Sequence, residues 1–187
     1  MKSYGLGIND LSVTLVNGKK ATRPCPCGMA GSVRTDCICS AEQIQRYLSR
    51  ISGPLLDRID IHVEVLRPEV STFELRSAGG EPSTAIRARV MAARGIQNRR
   101  AGMPNAILEI GGIRKHCSLG ASQQDLLQQA AEQMDLSPRS CHRVLKVART
   151  IADLDGAEGI ATPHLAEAIA LRKPALGASR PGRRMIA

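Results

Sequence analysis

Residues 137–154 read SPRSCHRVLKVARTIADL, and this stretch predicts a long amphipathic helix. Ser137 offers a capping hydroxyl directly before Pro138 at the first helical position, which is a start signal with a physical cause. Apolar side chains then recur at helical spacing and form one stripe, at Val144, Val147, Ala148, Ile151 and Leu154. A single apolar stripe needs neighbouring helices to bury it, so the stretch predicts a helical bundle.

Similar signals flank this helix on both sides. Thr162 stands before Pro163 as a second capping hydroxyl, and residues 122–134 read SQQDLLQQAAEQM. Ser83 is expected to cap a helix that runs to about residue 100, although Gly95 in its interior costs about 1 kcal/mol relative to alanine. The expected buried faces are Leu165, Ala168 and Ile169 in one helix and Leu127, Ala130, Ala131 and Met134 in the other. The chain beyond the Gly79-Gly80 break is therefore expected to be wholly helical.

The part before this break carries weaker and more mixed signals. IDIHVEV, residues 59–65, alternates apolar and polar side chains and predicts a half-buried strand. Ser40 followed by Gln43 is a capping-box pattern and predicts a helix over 41–51. LSVTLV, residues 11–16, predicts a strand before a turn at Asn17-Gly18, and a short helical stretch is expected near 71–77.

These signals predict a mainly α fold with a small β component. Residues 1–78 form one region, with a cysteine-rich loop, a helix and a strand. Residues 79–173 form a helical-bundle domain. Residues 174–187 are expected to be a disordered basic tail, because Pro, Gly and basic residues dominate there.

The net charge of +9 permits two interpretations. One is a polyanionic partner such as DNA, and the other is a solvated basic surface. Only Phe73, Tyr4 and Tyr47 are aromatic, so nucleic-acid contacts would run through phosphates and not through base stacking. The sequence has no membrane-spanning stretch and no signal-peptide core, which predicts a cytosolic location and no membrane partner.

Four of the six cysteines lie within fifteen residues, as two close pairs separated by a nine-residue loop. The four are Cys25, Cys27, Cys37 and Cys39. Two such pairs can converge on a tetrahedral metal, which for four thiolates favours zinc over an iron–sulfur cluster. Reduced free thiols and disulfides are the alternatives. A four-cysteine shell leaves no open ligand position, so the site would be structural. Cys117 and Cys141 are expected to be ordinary core residues.

Several basic residues are candidate anion contacts. Arg58 directly precedes the predicted strand, although pairing with Asp57 or Asp60 is the alternative. Arg139, Arg143 and Lys146 align on one side of their helix, which usually indicates a solvated face. Arg139 is unusual because a cation in the first helical turn opposes the helix dipole, and this placement suggests an anionic ligand. The four histidines are scattered, and none is assigned a catalytic role.

Four stretches together resemble the Mg-chelatase-like family of AAA+ ATPases, and particularly its ComM/YifB branch. They are PCPCG, IQRYLSRISGPLLDRIDIHVEV, RVLKVARTIADLDGAEGI and HLAEAIALR, which follow the family's order over residues 24–173. The resemblance implies a partial αβα AAA+ core followed by a helical lid. It also implies homo- or hetero-oligomeric assembly, in hexamers, with ATP and Mg²⁺ shared between neighbouring subunits. The implied work is ATP-driven DNA translocation or branch migration in competence.

The resemblance also assigns roles to individual arginines. In the family, the arginine of the LLDR motif reaches the γ-phosphate of a neighbouring subunit, and this position is Arg58. A second arginine at the start of a lid helix contacts the phosphates of its own subunit, which by order and spacing is Arg139. Arg143 is the alternative for that second role. Such trans-acting arginines stabilise the charge that develops during phosphoryl transfer.

Three departures from the family pattern limit these expectations. No GxxxxGKS/T is present, so this chain alone is expected not to hydrolyse ATP. Arg23 stands where the family has an asparagine that helps to position the attacking water. The opening 20 residues do not resemble the family segment, which suggests a truncated or rearranged gene or a misplaced start. Two rival hypotheses follow: a zinc-stabilised basic DNA-binding module without an ATPase role, and a non-functional remnant.

Overall fold

A computed structural model describes residues 14–16, 19–21, 25–29, 37–50, 57–63 and 80–172. The chain divides into two compact units. The described residues up to Arg50 belong to the first unit. Asp57–Val63 and residues 80–172 belong to the second.

The first unit contains a short hairpin and one helix. Strands β1 (Thr14–Val16) and β2 (Lys19–Ala21) pair antiparallel. This confirms a strand at the end of LSVTLV, whereas the predicted Asn17-Gly18 turn lies outside the described residues. Helix α1 (Ala41–Leu48) begins with the predicted capping box: the Gln43 backbone N–H donates to Ser40 Oγ at 3.2 Å, and the Ser40 N–H donates to Gln43 Oε1 at 2.9 Å. The helix ends before the predicted residue 51.

The second unit is built from five α-helices and one 3₁₀ turn among its described residues. These are α2 (Ser83–Ala101), the 3₁₀ turn (Asn105–Ile107), α3 (Ile110–His116), α4 (Ala121–Met134), α5 (Pro138–Leu154) and α6 (Thr162–Ala170). Helix α5 is central, because α2, α3, α6 and the 3₁₀ turn all pack against it, while α4 packs against α6. The mainly α fold class is therefore confirmed.

The core of this unit lies between α5, α6 and the helices around them. Its buried members are Leu108, Ile113, Cys117, Ala130, Val144, Ala148, Ile160, Leu165, Ala168 and Ile169. The predicted face of α6 and most of the predicted faces of α4 and α5 are thus correct, although Ala131 of α4 is not part of this core. Leu154 is an exception, since it is 48% exposed. The buried arc of α5 extends instead toward Ala152 and Asp153, because α2 packs on that side.

Two predicted caps are wrong by one position. Helix α2 begins at Ser83 itself, after Pro82 in an extended conformation, so the Ser83 hydroxyl does not cap it. Helix α6 begins at Thr162 after Ala161. There the ring of His164 makes the reciprocal half of a capping box, as its Nδ1 accepts a hydrogen bond from the Ala161 N–H at 3.0 Å, while Ala161 has no hydroxyl to cap the first turn. Ser137 does cap α5, since its Oγ accepts from the Ser140 N–H at 3.1 Å.

The predicted strand over 59–65 is not a strand in its described part. Residues 59–63 are irregular, and both Ile61 and Val63 are exposed. The His62 N–H donates to the Leu171 carbonyl at 2.7 Å, so this segment pairs with the end of α6 and not with another strand. Alternation indicates which residues could share a face, but a strand also needs a partner edge.

Two further predictions fall outside the described residues: the helical stretch near 71–77 and the disordered tail over 174–187. Within the part of the chain that is described, every helix is too short or too polar to cross a membrane.

Candidate functional site

The carboxylate of Asp57 lies at the N-terminus of α5. Ser140 Oγ donates a hydrogen bond to Asp57 Oδ1, and Ser137 Oγ lies 3.4 Å from Oδ2. A negative charge at this end of a helix is favoured by the helix dipole. The Ser140 hydroxyl lowers the pKa of Asp57 most, and the nearby Arg172, Ser137 and Arg139 lower it further, against a smaller opposing effect of burial. Asp57 is therefore an ionised anchor for the segment that carries Arg58.

Arg58 directly follows this anchor in the chain, and its guanidinium is exposed to solvent. Its side chain is exposed, and it makes no hydrogen bond or ion pair with the residues that the structure describes. The sequence left open a pairing of Arg58 with Asp57 or Asp60. The structure instead pairs Asp57 with Arg172 at 3.1 Å, and Asp60 with Arg143. Each neighbouring carboxylate thus has a different arginine as its partner.

The other two predicted arginines differ in their surroundings. Arg139 is exposed in the first turn of α5 and has no hydrogen-bond partner among the described side chains. It lies near enough to Asp57 to lower the pKa of that carboxyl. Arg143 is engaged: its Nη1 donates to the Arg58 carbonyl at 2.9 Å and to Asp60 Oδ1. Arg58 and Arg139 are therefore available to an external anion, while Arg143 already has two acceptors.

Arg172 is the residue of this site that sequence reasoning missed. It follows α6, its side chain is only 5% exposed, and it reaches across to the Asp57 segment. Its Nη2 donates to the Asp57 carbonyl at 2.9 Å and to Ser140 Oγ at 2.7 Å, and its Nη1 donates to the Ile59 carbonyl. The only sequence signal was its position as the last residue of the HLAEAIALR stretch.

The four predicted metal-ligating cysteines converge in the first unit. Their sulfur atoms all lie within 4.8 Å of one another, with Cys25 buried and Cys27, Cys37 and Cys39 half-buried. The Cys25–Cys27 sulfur distance is 3.3 Å, and Cys37 Sγ lies 3.6 Å from both. A tetrahedral zinc site with Zn–S bonds of about 2.3 Å separates its sulfurs by about 3.8 Å. The arrangement therefore fits a single four-coordinate metal ion.

The cysteine thiols of this cluster differ in pKa. Hydrogen bonds from the Met29 backbone N–H and from the Cys25 thiol lower the pKa of Cys27 to about 6. The backbone hydrogen bond at Cys39 acts to lower the pKa of Cys37, but burial and hydrogen bonds with the neighbouring thiols outweigh it and raise that pKa to about 12. None of the four forms a disulfide. A metal ion that binds thiolates would displace the protons of these thiols.

A buried polar network surrounds Asp153 near the C-terminal end of α5, and the sequence did not predict it. Asp153 is fully buried and accepts hydrogen bonds from Arg100 at 2.6 and 2.7 Å, from Arg149 at 2.9 and 3.1 Å, and from Asn105 at 2.8 Å. Arg149 also donates to the carbonyls of Ala157 and Glu158. The network joins α2, the 3₁₀ turn and the loop after α5, and it fixes α5 at the end away from Asp57.

Comparison with known proteins identifies two family regions in the chain. The family "Magnesium chelatase, subunit ChlI" matches residues 12–73, and "Magnesium chelatase, subunit ChlI C-terminal" matches residues 80–172.

Similar individual proteins come from several bacteria. The competence protein ComM of Haemophilus influenzae is 45% identical over 135 residues, which cover 71% of this chain and 26% of that protein. The YifB protein of Escherichia coli is 41% identical over 134 residues, with 72% and 26% coverage. An uncharacterized protein of Mycobacterium tuberculosis is 34% identical over 157 residues, with 82% and 30% coverage.

The chain spans between a quarter and a third of the length of these relatives. The two family regions follow one another along the sequence and together include the cysteine cluster, the Asp57 segment and the helical bundle. The chain therefore belongs to the magnesium-chelatase-like family, in the branch that includes ComM and YifB.

Proposed function

We propose that this chain supplies a trans-acting arginine, Arg58, to an ATP site whose nucleotide is held by the P-loop of a neighbouring AAA+ subunit. In this role Arg58 would stabilise the charge that develops on the transferred phosphoryl oxygens. In related enzymes such an arginine is worth about 10³–10⁵ in rate. The chain itself contains no GxxxxGKS/T and would act on a neighbour's Mg-ATP.

The observation that carries this proposal is the contrast between the backbone and the side chain of Arg58. The backbone of its segment accepts hydrogen bonds from Arg143 and Arg172, whereas its guanidinium is exposed and has no partner among the described residues. A free cation on a fixed backbone is preorganised for an external anion, because little ordering remains to be done when the anion arrives. Surface arginines that serve only solubility do not need such support.

Arg139 extends the same proposal to a second phosphate contact. Asp57 directly precedes Arg58 in the chain, and Arg139 lies near enough in space to lower the pKa of the Asp57 carboxyl, so Arg139 is close to the segment that carries Arg58. We propose that Arg139 also faces the nucleotide. The resemblance assigns the Arg139 position to the same subunit's phosphates, but its neighbourhood supports contact with the nucleotide that Arg58 reaches.

The cysteine cluster would have a structural part in this assembly. Cys25, Cys27, Cys37 and Cys39 would hold Zn²⁺, which when bound cross-links the loop that leads into α1. Four thiolates leave no open position for substrate, so the metal would take no part in hydrolysis.

The cellular role we propose is work on DNA during competence. The relative from Haemophilus influenzae carries the name competence protein, and the family resemblance implies ATP-driven DNA translocation or branch migration. The net charge of +9 supports a polyanionic partner. The subunits would be homo- or hetero-oligomeric, with each ATP site shared between two neighbours.

The test uses a full-length relative whose own LLDR arginine has been changed to alanine. This partner would bind ATP but would lack the trans-acting arginine. We expect the present chain to restore ATP hydrolysis when mixed with it, and the Arg58→Ala chain to restore at least tenfold less. Arg114→Ala, an exposed arginine on α3, is the matched control and should restore hydrolysis as well as the unchanged chain. Equal restoration by the Arg58→Ala chain would refute the proposal.

A second candidate function is DNA binding without any ATPase role. Helix α2 carries exposed arginines and no acidic residue, and Arg87, Arg94 and Arg99 face solvent. Such exposed arginines can contact phosphates and release counterions. DNA affinity that falls steeply with salt and is reduced by Arg87→Ala and Arg94→Ala, together with no restoration of hydrolysis, would favour this function over the first.

A further inference from the structure

Three consecutive backbone carbonyls around Arg58 accept hydrogen bonds from two arginines of the helical bundle. Arg172 donates to the carbonyls of Asp57, at 2.9 Å, and of Ile59. Arg143 donates to the carbonyl of Arg58 at 2.9 Å. Charged donors form the stronger class of hydrogen bonds, and one planar guanidinium can address two acceptors at fixed spacing.

From this arrangement we propose that Arg143 and Arg172 are positioning residues for Arg58. The inference rests on the proposed function and deepens it, because it states what holds the trans-acting arginine in place. Neither residue would touch the nucleotide. Each would hold the backbone around Arg58 in one conformation. The orientations open to the Arg58 side chain would thereby be restricted.

The surroundings of the two arginines support positioning over surface solvation. The Arg172 side chain is 5% exposed and is placed by Ser140 and Asp57, while Arg143 is 22% exposed and is oriented by Asp60. Each guanidinium is held by a carboxylate and also donates to backbone carbonyls, so it can fix the path of the chain at these carbonyls.

The arrangement also joins the Arg58 segment to the bundle by two helices. Arg143 lies on α5, and Arg172 directly follows the end of α6. The His62 N–H donates to the Leu171 carbonyl, which adds a backbone contact to the end of α6. A displacement of α5 or α6 would therefore move Arg58, so the bundle of one subunit would control the arginine offered to the next.

The first measurement is hydrogen–deuterium exchange on the full chain, and it does not depend on ATP hydrolysis. Arg172→Lys keeps the charge but loses the planar fork, and Arg143→Ala removes the donor to the Arg58 carbonyl. Each change should speed amide exchange in the 57–63 segment about tenfold, while exchange in α4 stays unchanged. Asp60→Asn, at an exposed side chain, is a milder variant that disturbs only the orientation of Arg143 and should give a smaller increase.

The second measurement is the restoration assay with the finger-deficient relative. Arg143→Ala and Arg172→Lys should lower the restored kcat about tenfold and leave the KM for ATP unchanged, because the nucleotide is bound elsewhere. Unchanged exchange in the 57–63 segment would overturn the positioning role and leave the proposed function standing. Full restoration by both variants, while Arg58→Ala restores at least tenfold less, would do the same. Full restoration by Arg58→Ala, with faster exchange in the positioning variants, would refute the proposed function alone.

Discussion

Arg149 and Asp153 lie one helical turn apart on α5 and form an ion pair of 2.9 Å, with side chains only 2% and 0% exposed. Arg100 binds the same carboxylate from α2. Asp153→Asn would leave two guanidinium groups, one of them fully buried, without their counter-charge. We expect it to lower the free energy of unfolding by about 3–5 kcal/mol, measured by urea denaturation.

Asp125→Asn is the matched control for this change, because Asp125 is exposed on α4. It should alter stability by no more than about 0.5 kcal/mol. If Asp153→Asn were equally mild, the network would not hold α2 against α5.

A second prediction concerns the apolar core. Leu165 on α6 is completely buried, so Leu165→Ala should lower the free energy of unfolding by about 2–5 kcal/mol. Leu154→Ala removes the same atoms from an α5 side chain that is 48% exposed, and we expect a much smaller loss in the same denaturation experiment. Similar losses for both would show that the α5 stripe is buried as the sequence alone suggested.

How far the sequence predicted this structure depends on the distance between interacting residues. Ser137 and Pro138 start α5 through bonds within one turn, and the α6 face follows from helical periodicity, so both were predictable. Leu154 was misplaced because the direction of the buried arc depends on where α2 packs, which periodicity does not reveal.

In the candidate site, the spacing of the two cysteine pairs predicted that the four side chains converge. Arg58 was singled out by the LLDR motif of the family resemblance. Arg172, in contrast, contacts Asp57 across 115 residues of sequence, and no local pattern indicates such a pair. The alternation in residues 59–63 was a clear pattern, but its outcome depended on a partner strand that local sequence does not specify.

A third prediction concerns the cysteine cluster. Purified under reducing conditions, the chain should bind one Zn²⁺, and Cys25→Ser should abolish this binding because Cys25 is the buried member of the set. Cys141→Ser changes a cysteine outside the cluster and should retain the metal. Metal content by atomic emission gives the answer, and retention of a full equivalent by Cys25→Ser would contradict a four-cysteine site.

A fourth prediction concerns the start of α5. Ser137 caps this helix and also lies beside the Asp57 carboxylate, so Ser137→Ala should lower the free energy of unfolding by about 1 kcal/mol. It should also speed amide exchange at Ser140, whose N–H loses its acceptor. Ser122→Ala, on the exposed surface of α4, serves as the comparison and should change neither quantity. No change on Ser137→Ala would mean that water replaces the cap without loss.

The last prediction follows from the titration of Asp57 and Asp153, whose pKa values both lie below the ordinary 3.8. The Ser140 hydroxyl dominates at Asp57. At Asp153 burial alone would raise the pKa, but the hydrogen bonds from Arg100 and Asn105 outweigh it. Both carboxylates therefore bind protons less readily in the folded chain than in the unfolded chain. Their contribution to stability is fully present above the unfolded pKa of 3.8, and it is lost as the pH falls through the lowered pKa values of the folded chain.

The free energy of unfolding should accordingly fall between about pH 5 and pH 3, as measured by urea denaturation at each pH. Asp57→Asn should flatten this fall, because one of the two depressed carboxylates is gone. Glu132→Gln, at an exposed carboxylate of α4, is the matched control for the removal of one carboxylate. A slope that Asp57→Asn does not change would mean that the Ser140 hydrogen bond does not favour the charged form of Asp57, and the anchor beneath Arg58 would then not depend on its ionisation.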